Sequence, residues 1–169
     1  MSESTTPTAA PAAARPTVVG ADDEHAVAVD RMRRSSLGAL LLLAIQAILG
    51  MWAGLYASLP DADQGKGLLA SFGDSIAKGP ASVTIHAGFG MLLFIDACLI
   101  VVFGLTVRHT SVRVASTLAW LCVAGAATAG AAFVNNSDAD GYSMTMAALT
   151  FIAMGCYAVN LYVLGGKRS

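Results

Sequence analysis

The chain has 169 residues, of which 56% are hydrophobic and 12% charged, and its formal net charge is −1. Soluble domains carry about 25% charged residues, so this composition excludes an ordinary water-soluble domain and points to a membrane protein. No basic patch exceeds the small clusters that flank the apolar runs, which argues against nucleic-acid binding.

Residues 1–34 open with "MSESTTPTAAPAAARPTVVGADDEHAVAVD", rich in Ala, Pro and Thr and poor in large apolar side chains. This composition predicts a disordered cytoplasmic tail. The apolar run after Arg34 is too long for the core of a cleaved signal, so it reads as a signal anchor. Four runs at about 36–58, 82–107, 114–134 and 142–165 lack charged residues apart from Asp96. Each reaches the ~20 residues that a helix needs to cross a bilayer core. They are continuous rather than alternating, unlike the strands of a membrane β-barrel. The expectation is an all-α membrane protein, with residues 35–166 forming a four-helix, up-down-up-down transmembrane bundle.

Arg31, Arg33 and Arg34 precede the first run, Arg108 and Arg113 separate the second and third, and Lys167 and Arg168 follow the fourth. The other connections carry Asp61, Asp63 and Asp74 beside Lys66 and Lys78, then Asp138 and Asp140. By the positive-inside rule both termini are cytoplasmic, and a bacterial plasma membrane is the expected location.

The first span carries Gln46 and the small-residue pair Gly50 and Gly54, suited to close helix approach. In the outer loop, 62–79, Leu68, Leu69, Phe72 and Ile76 recur at helical spacing. They predict a short interfacial helix, with an irregular loop as the alternative. The third span is dominated by Ala and Gly in "CVAGAATAGAAF". Trp52, Tyr56, Trp120, Tyr142 and Tyr162 are assigned to the span ends as an aromatic belt. Cys98, Cys122 and Cys156 fall in separate spans without a CxxC pair, so they read as packing residues rather than a disulfide or zinc framework.

Two ionisable residues interrupt the second span. Asp96 lies ten residues beyond His86, which places it roughly 15 Å deeper, near the bilayer centre. Gln46 is expected at a similar depth, as the partner of Asp96 in an intramembrane polar pair. A charged carboxylate there costs at least ~2.5 kcal/mol. Two roles are therefore open to Asp96, a protonated clasp between helices or a proton-relay site. His86 is the leading candidate for chemistry. Met51, Met91 and Met146 share its expected layer with Met144, and His/Met ligation of haem is chemically reasonable. Imidazole with thioethers also suits Cu(I). Asn135, Asn136 and Ser143 form an expected outer polar patch, with helix capping as the alternative role. No nucleophile-base pair, metal triad or phosphate loop is visible, so an enzyme acting on a lipid or quinone at the outer face is the weakest of the competing expectations.

The segments "AIQAILGMWAGLYASLPD", "GPASVTIHAGFGMLLFIDACLIVV" and "AGAAFVNNSDADGYSMTMAALTFIAMGCYAVNLYVL" together resemble a group of small four-helix membrane proteins of actinobacteria and related bacteria. The placement of Gln46, Gly50 and His86 is also distantly similar to one four-helix half of haem A synthase. That family pairs His residues from two spans, whereas this chain has no His in its third or fourth span. The lack of a soluble domain and the lone intramembrane His point to a small integral membrane subunit or accessory protein of a redox or envelope assembly, with other membrane subunits or further copies of itself as partners; haem at His86 would need Met as second ligand, an open position, or a His from another subunit. The alternatives are a proton- or solute-conducting oligomer using Asp96 and a copper-handling protein of the outer face.

Overall fold

The computed structural model describes residues 20–56, 65, 67–136 and 140–166. The chain forms α1 (Ala21–Tyr56), α2 (Leu68–Lys78), α3 (Ala81–Thr106), α4 (Thr110–Asn135) and α5 (Asp140–Gly165). Four of these helices, α1, α3, α4 and α5, are long and apolar enough to cross a membrane. Helix α3 packs against α1 and α4, and α5 closes the ring by packing against α4 and α1. The short α2 lies against α3 and α4, at one end of the bundle. This is the all-α four-helix bundle expected from the apolar runs.

Helix termini follow local chemistry. Pro80 precedes α3, where a missing N–H does no harm, and Thr84 Oγ1 donates to Gly79 O at 3.1 Å. At the other end of α3, Arg113 Nε donates to Val107 O at 3.2 Å and Nη2 to Leu105 O at 3.3 Å. These bonds satisfy carbonyls that the helix cannot pair itself, and they fix the tight α3–α4 hairpin. Asn136 ends α4, with both its backbone N–H and its Nδ2 donating to Ala132 O.

The packing is inverted relative to a soluble protein. Exposed positions carry Leu37, Leu41, Ile45 and Ile48 on α1, Leu92, Ile95, Leu99 and Val102 on α3, and Val114, Leu118 and Leu121 on α4. Buried positions recur at the same three- and four-residue spacing but are mostly smaller. They are Ser36, Ala39 and Leu43 on α1, Leu93, Ala97 and Ile100 on α3, Ala115, Ser116 and Ala119 on α4, and Ala153, Tyr157 and Asn160 on α5. Large apolar side chains facing outward on several helices are incompatible with water. Small and polar residues at helix contacts are what packing in lipid requires.

Helix α1 starts at Ala21, well inside the segment 1–34 expected to be a disordered tail; residues 1–19 lie outside the described residues. Asp30 pairs with Arg34 at 2.9 Å, one turn apart, Arg31 stacks 5.5 Å over the Phe103 ring, and Met32 is fully buried. This turn continues the buried stripe of α1 before the apolar run begins. Trp120 also departs from expectation. It is half-buried within α4, roughly 15 Å from the helix start, and its Nε1 donates to Cys98 Sγ at 3.2 Å. An indole N–H inside an apolar layer needs an acceptor, and Cys98 supplies one.

Candidate functional site

Among the described residues, Gln46, His86, Asp96, Tyr157, Ser36, Ser116 and Asn160 form three polar layers inside the bundle. In the layer nearest α2, α1 and α3 interlock through two side chains and two glycines. Gln46 Nε2 donates to His86 O at 3.0 Å and lies 3.4 Å from His86 Nε2. The His86 ring rests on Gly50, where a Cβ would stand 3.0 Å from Cε1. The Gln46 amide rests on Gly90, where a Cβ would stand 3.1 Å from Nε2. Each helix thus offers a glycine to receive the other's polar side chain. His86 Nδ1 and Gln46 Oε1 remain buried with no partner.

The second layer holds Asp96 of α3 and Tyr157 of α5, which belong to diagonally opposed helices of the ring. Asp96 Oδ2 and the Tyr157 hydroxyl are both buried and unpartnered, and Asp96, Cys98 and Cys156 lie within electrostatic range of that hydroxyl. The third layer joins three helices. Asn160 Nδ2 donates to Ser116 Oγ at 3.0 Å and to Ser36 Oγ at 3.5 Å. All three residues are fully buried, and Asn160 Oδ1 has no partner. Gly104 of α3 makes room for this group, since a Cβ there would lie 3.1 Å from Ser116 Oγ.

The expected pairing of Asp96 with Gln46 is therefore not formed. Gln46 stands opposite Gly90, six residues before Asp96, which is roughly 9 Å along α3. Depth counted along each helix separately left their relative register undetermined. Thr128, placed near the same layer, is exposed and donates back to Gly125 O at 2.8 Å.

The methionines expected around His86 do not assemble with it. Met51 and Met91 are exposed on the lipid side of α1 and α3, and the Met146 sulfur packs 3.3 Å from a Cβ position at Gly130, between α4 and α5. The His86 ring is wedged between two helices rather than turned toward an open face. No group of three or more His, Cys, Asp or Glu able to hold a metal exists among the described residues. The side chains of one chain thus fit neither a His/Met haem pair nor a His/Met copper site.

Asn135, Asn136 and Ser143 also occupy separate environments. Asn135 Oδ1 accepts from Gly67 N at 3.0 Å and Ser71 Oγ at 3.2 Å, and its backbone carbonyl accepts from Gly65 N at 3.2 Å. It thereby holds the start of α2 against α4. Asn136 caps its own helix, and Ser143 is exposed on α5. Asn135→Ala is expected to loosen α2 alone. Amide exchange should rise across 67–78 while α3 to α5 keep their protection; unchanged exchange in α2 would show that the helix is held by apolar contacts instead.

Tyr157, Ser36 and Ser116 carry no motif, and sequence reasoning passed over them. For Tyr157 the signal is the stripe Ala153, Tyr157, Asn160, Leu164, and for Ser36 and Ser116 it is their place among the buried small residues of α1 (Ser36, Ala39) and α4 (Ala115, Ser116, Ala119), polar residues that continue a contact face at helical spacing. A groove of about 520 Å³ between α4 and α5, lined by residues including Val114, Leu118, Ile152 and Val159, opens away from the three layers. No protein-family model, curated protein or solved structure matches this chain.

Proposed function

We propose that the protein conducts a small polar species, a proton or a solute, across a bacterial plasma membrane through the interior of its bundle, with Asp96 at the centre of the route. One observation carries this function: Asp96 presents a buried carboxylate oxygen without a partner, in the middle of an apolar span. A carboxyl that only clasped helices would be expected to spend its oxygens on hydrogen bonds to them, because an unmatched ionisable group at this depth costs at least ~2.5 kcal/mol. Arg108 and Arg113 at the α3–α4 connection, with Arg31, Arg33 and Arg34 before the first apolar run, set the expected orientation, with α2 on the outer face and the Asn160 layer toward the cytoplasm.

Purified protein in liposomes is expected to dissipate an imposed gradient, and Asp96→Asn, nearly the same in shape, to stop it. Equal flux through both proteins would remove Asp96 from the route. A second reading, an accessory subunit of a larger membrane assembly, is favoured by the first turns of α1. Asp23, Glu24, His25, Arg31, Arg33 and Arg34 are exposed there on a helix that runs past the apolar segment, a charged arm suited to a partner's polar surface.

A further inference from the structure

We propose that the conducted species is the proton, passed along a file of water molecules strung between the unpartnered atoms of His86, Gln46, Asp96, Tyr157 and Asn160. This inference rests on the conduction proposed above and names its substrate and path. Among the described residues, the buried side-chain N and O atoms without a hydrogen-bond partner are Gln46 Oε1, His86 Nδ1, Asp96 Oδ2, Tyr157 Oη and Asn160 Oδ1. All five belong to spanning helices, and they follow one another from the α2 end to the arginine end. Buried polar groups left unpaired by protein are normally satisfied by ordered water, and the requirement is sharper in a bilayer, where lipid offers no partner.

The distances suit such a file. The Gln46–Gly90 contact lies roughly 9 Å from Asp96 along α3, and Tyr157 lies roughly 4.5 Å from Asn160 along α5. Hydrogen-bonded oxygens stand about 2.8 Å apart, so axial rises of this size are within the span of a few waters. The chemistry of the members suits a proton better than an ion. A bare cation needs several oxygens converging on one point, whereas each layer offers one or two unpartnered atoms. Between the layers the interior is lined by Leu43, Leu93, Ala97 and Ile100, apolar side chains that offer no ring of oxygens to replace the hydration shell of an ion.

The Gln46 amide faces His86 Nε2 at 3.4 Å, and Nδ1, the ring nitrogen without a protein partner, is left to the water file as donor or acceptor according to the tautomer. Asp96 is the exchanging group. Its carboxyl O–H breaks as the proton passes to the Tyr157 side, where water relays it past Asn160. The carboxylate oxygen then forms a new O–H with a proton from the water on the His86 side. One proton leaves for each that arrives, and no other reactant is consumed.

The test uses the full chain in phosphatidylcholine–phosphatidylglycerol vesicles with an internal pH dye and a valinomycin-set potassium potential. Proton flux is expected from the wild type, slowed in heavy water, without sodium flux or glycerol-driven swelling. Tyr157→Phe keeps the ring and removes one link, so flux should fall roughly tenfold while thermal unfolding in detergent stays near wild type. Sodium or glycerol passage without proton flux would overturn this inference and leave conduction standing. Silence toward every species would overturn both. Proton flux indifferent to Tyr157→Phe and to heavy water would overturn the water file. Should Tyr157→Phe fold poorly, the heavy-water comparison on the wild type decides alone.

Discussion

Gly50→Val is expected to force α1 away from α3 and to produce the largest loss of stability of any single substitution at the α1–α3 contact. A Cβ at position 50 would already stand 3.0 Å from His86 Cε1, 3.5 Å from Nδ1 and 3.7 Å from Nε2. The ring has little freedom to retreat, because Gln46 holds both its backbone carbonyl and the neighbourhood of Nε2. Valine adds two more methyl groups to that closed space, and overpacking of this kind costs typically 1–3 kcal/mol. Thermal unfolding in detergent measures it. Gly50→Ala should be milder and should be relieved by His86→Ala in the same chain, so that the double variant is more stable than the two separate losses add up to. Strict additivity would mean that the wedge of His86 on Gly50 does not bind the helices. Gly90 repeats the arrangement with the roles of the helices exchanged, its partner being Gln46 Nε2 at 3.1 Å from the Cβ position.

Asn160→Ala is expected to cost about 1–2 kcal/mol, combining hydrogen bonds of the size measured between membrane helices with a cavity at a fully buried position. The bond to Ser116 at 3.0 Å is the stronger and that to Ser36 at 3.5 Å the weaker. Ser116→Ala should therefore reproduce more of the loss than Ser36→Ala. The three residues sit on α5, α4 and α1, so the loss should appear as one cooperative shift of the whole bundle in a detergent unfolding curve. A shift confined to α5 exchange would show that Asn160 matters only to its own helix. An Asn160→Leu chain tests volume against polarity. If it unfolds like the wild type, filled space and not hydrogen bonding holds this layer.

Much of the architecture was legible because it depends on quantities local to one stretch of chain. Run length against bilayer thickness locates the helices, and the boundaries Ala81–Thr106 and Asp140–Gly165 fall within a residue or two of the apolar runs at 82–107 and 142–165. The amphipathic spacing of Leu68, Leu69, Phe72 and Ile76 likewise marks α2, though Leu69 turns almost wholly outward. The start of α1 was less legible. Its charged first turns resemble a solvated tail by composition, and Met32, buried against Gly104, with Arg31 over Phe103, shows that they belong to the bundle.

The site divides along the same line. By itself the sequence determined that this is a four-span helical chain with an imidazole, a carboxylate and several amides inside its apolar segments, since these facts need only residue type and distance along a helix. Tertiary structure decided which of them meet. A residue turns through about 100° at each step of a helix, and neighbouring helices slide in register, so depth alone specifies neither direction nor partner. Gln46 meets His86 because Gly50 stands opposite residue 86 and Gly90 opposite residue 46. Asp96 and Tyr157 come within electrostatic range of each other from the diagonal helices α3 and α5, and Asn160 joins three helices because its buried stripe points to the axis. Lipid drives no helix pairing by hydrophobicity. The pairing is set by close contacts at glycines and by polar groups seeking partners, and both exist only once the helices are assembled.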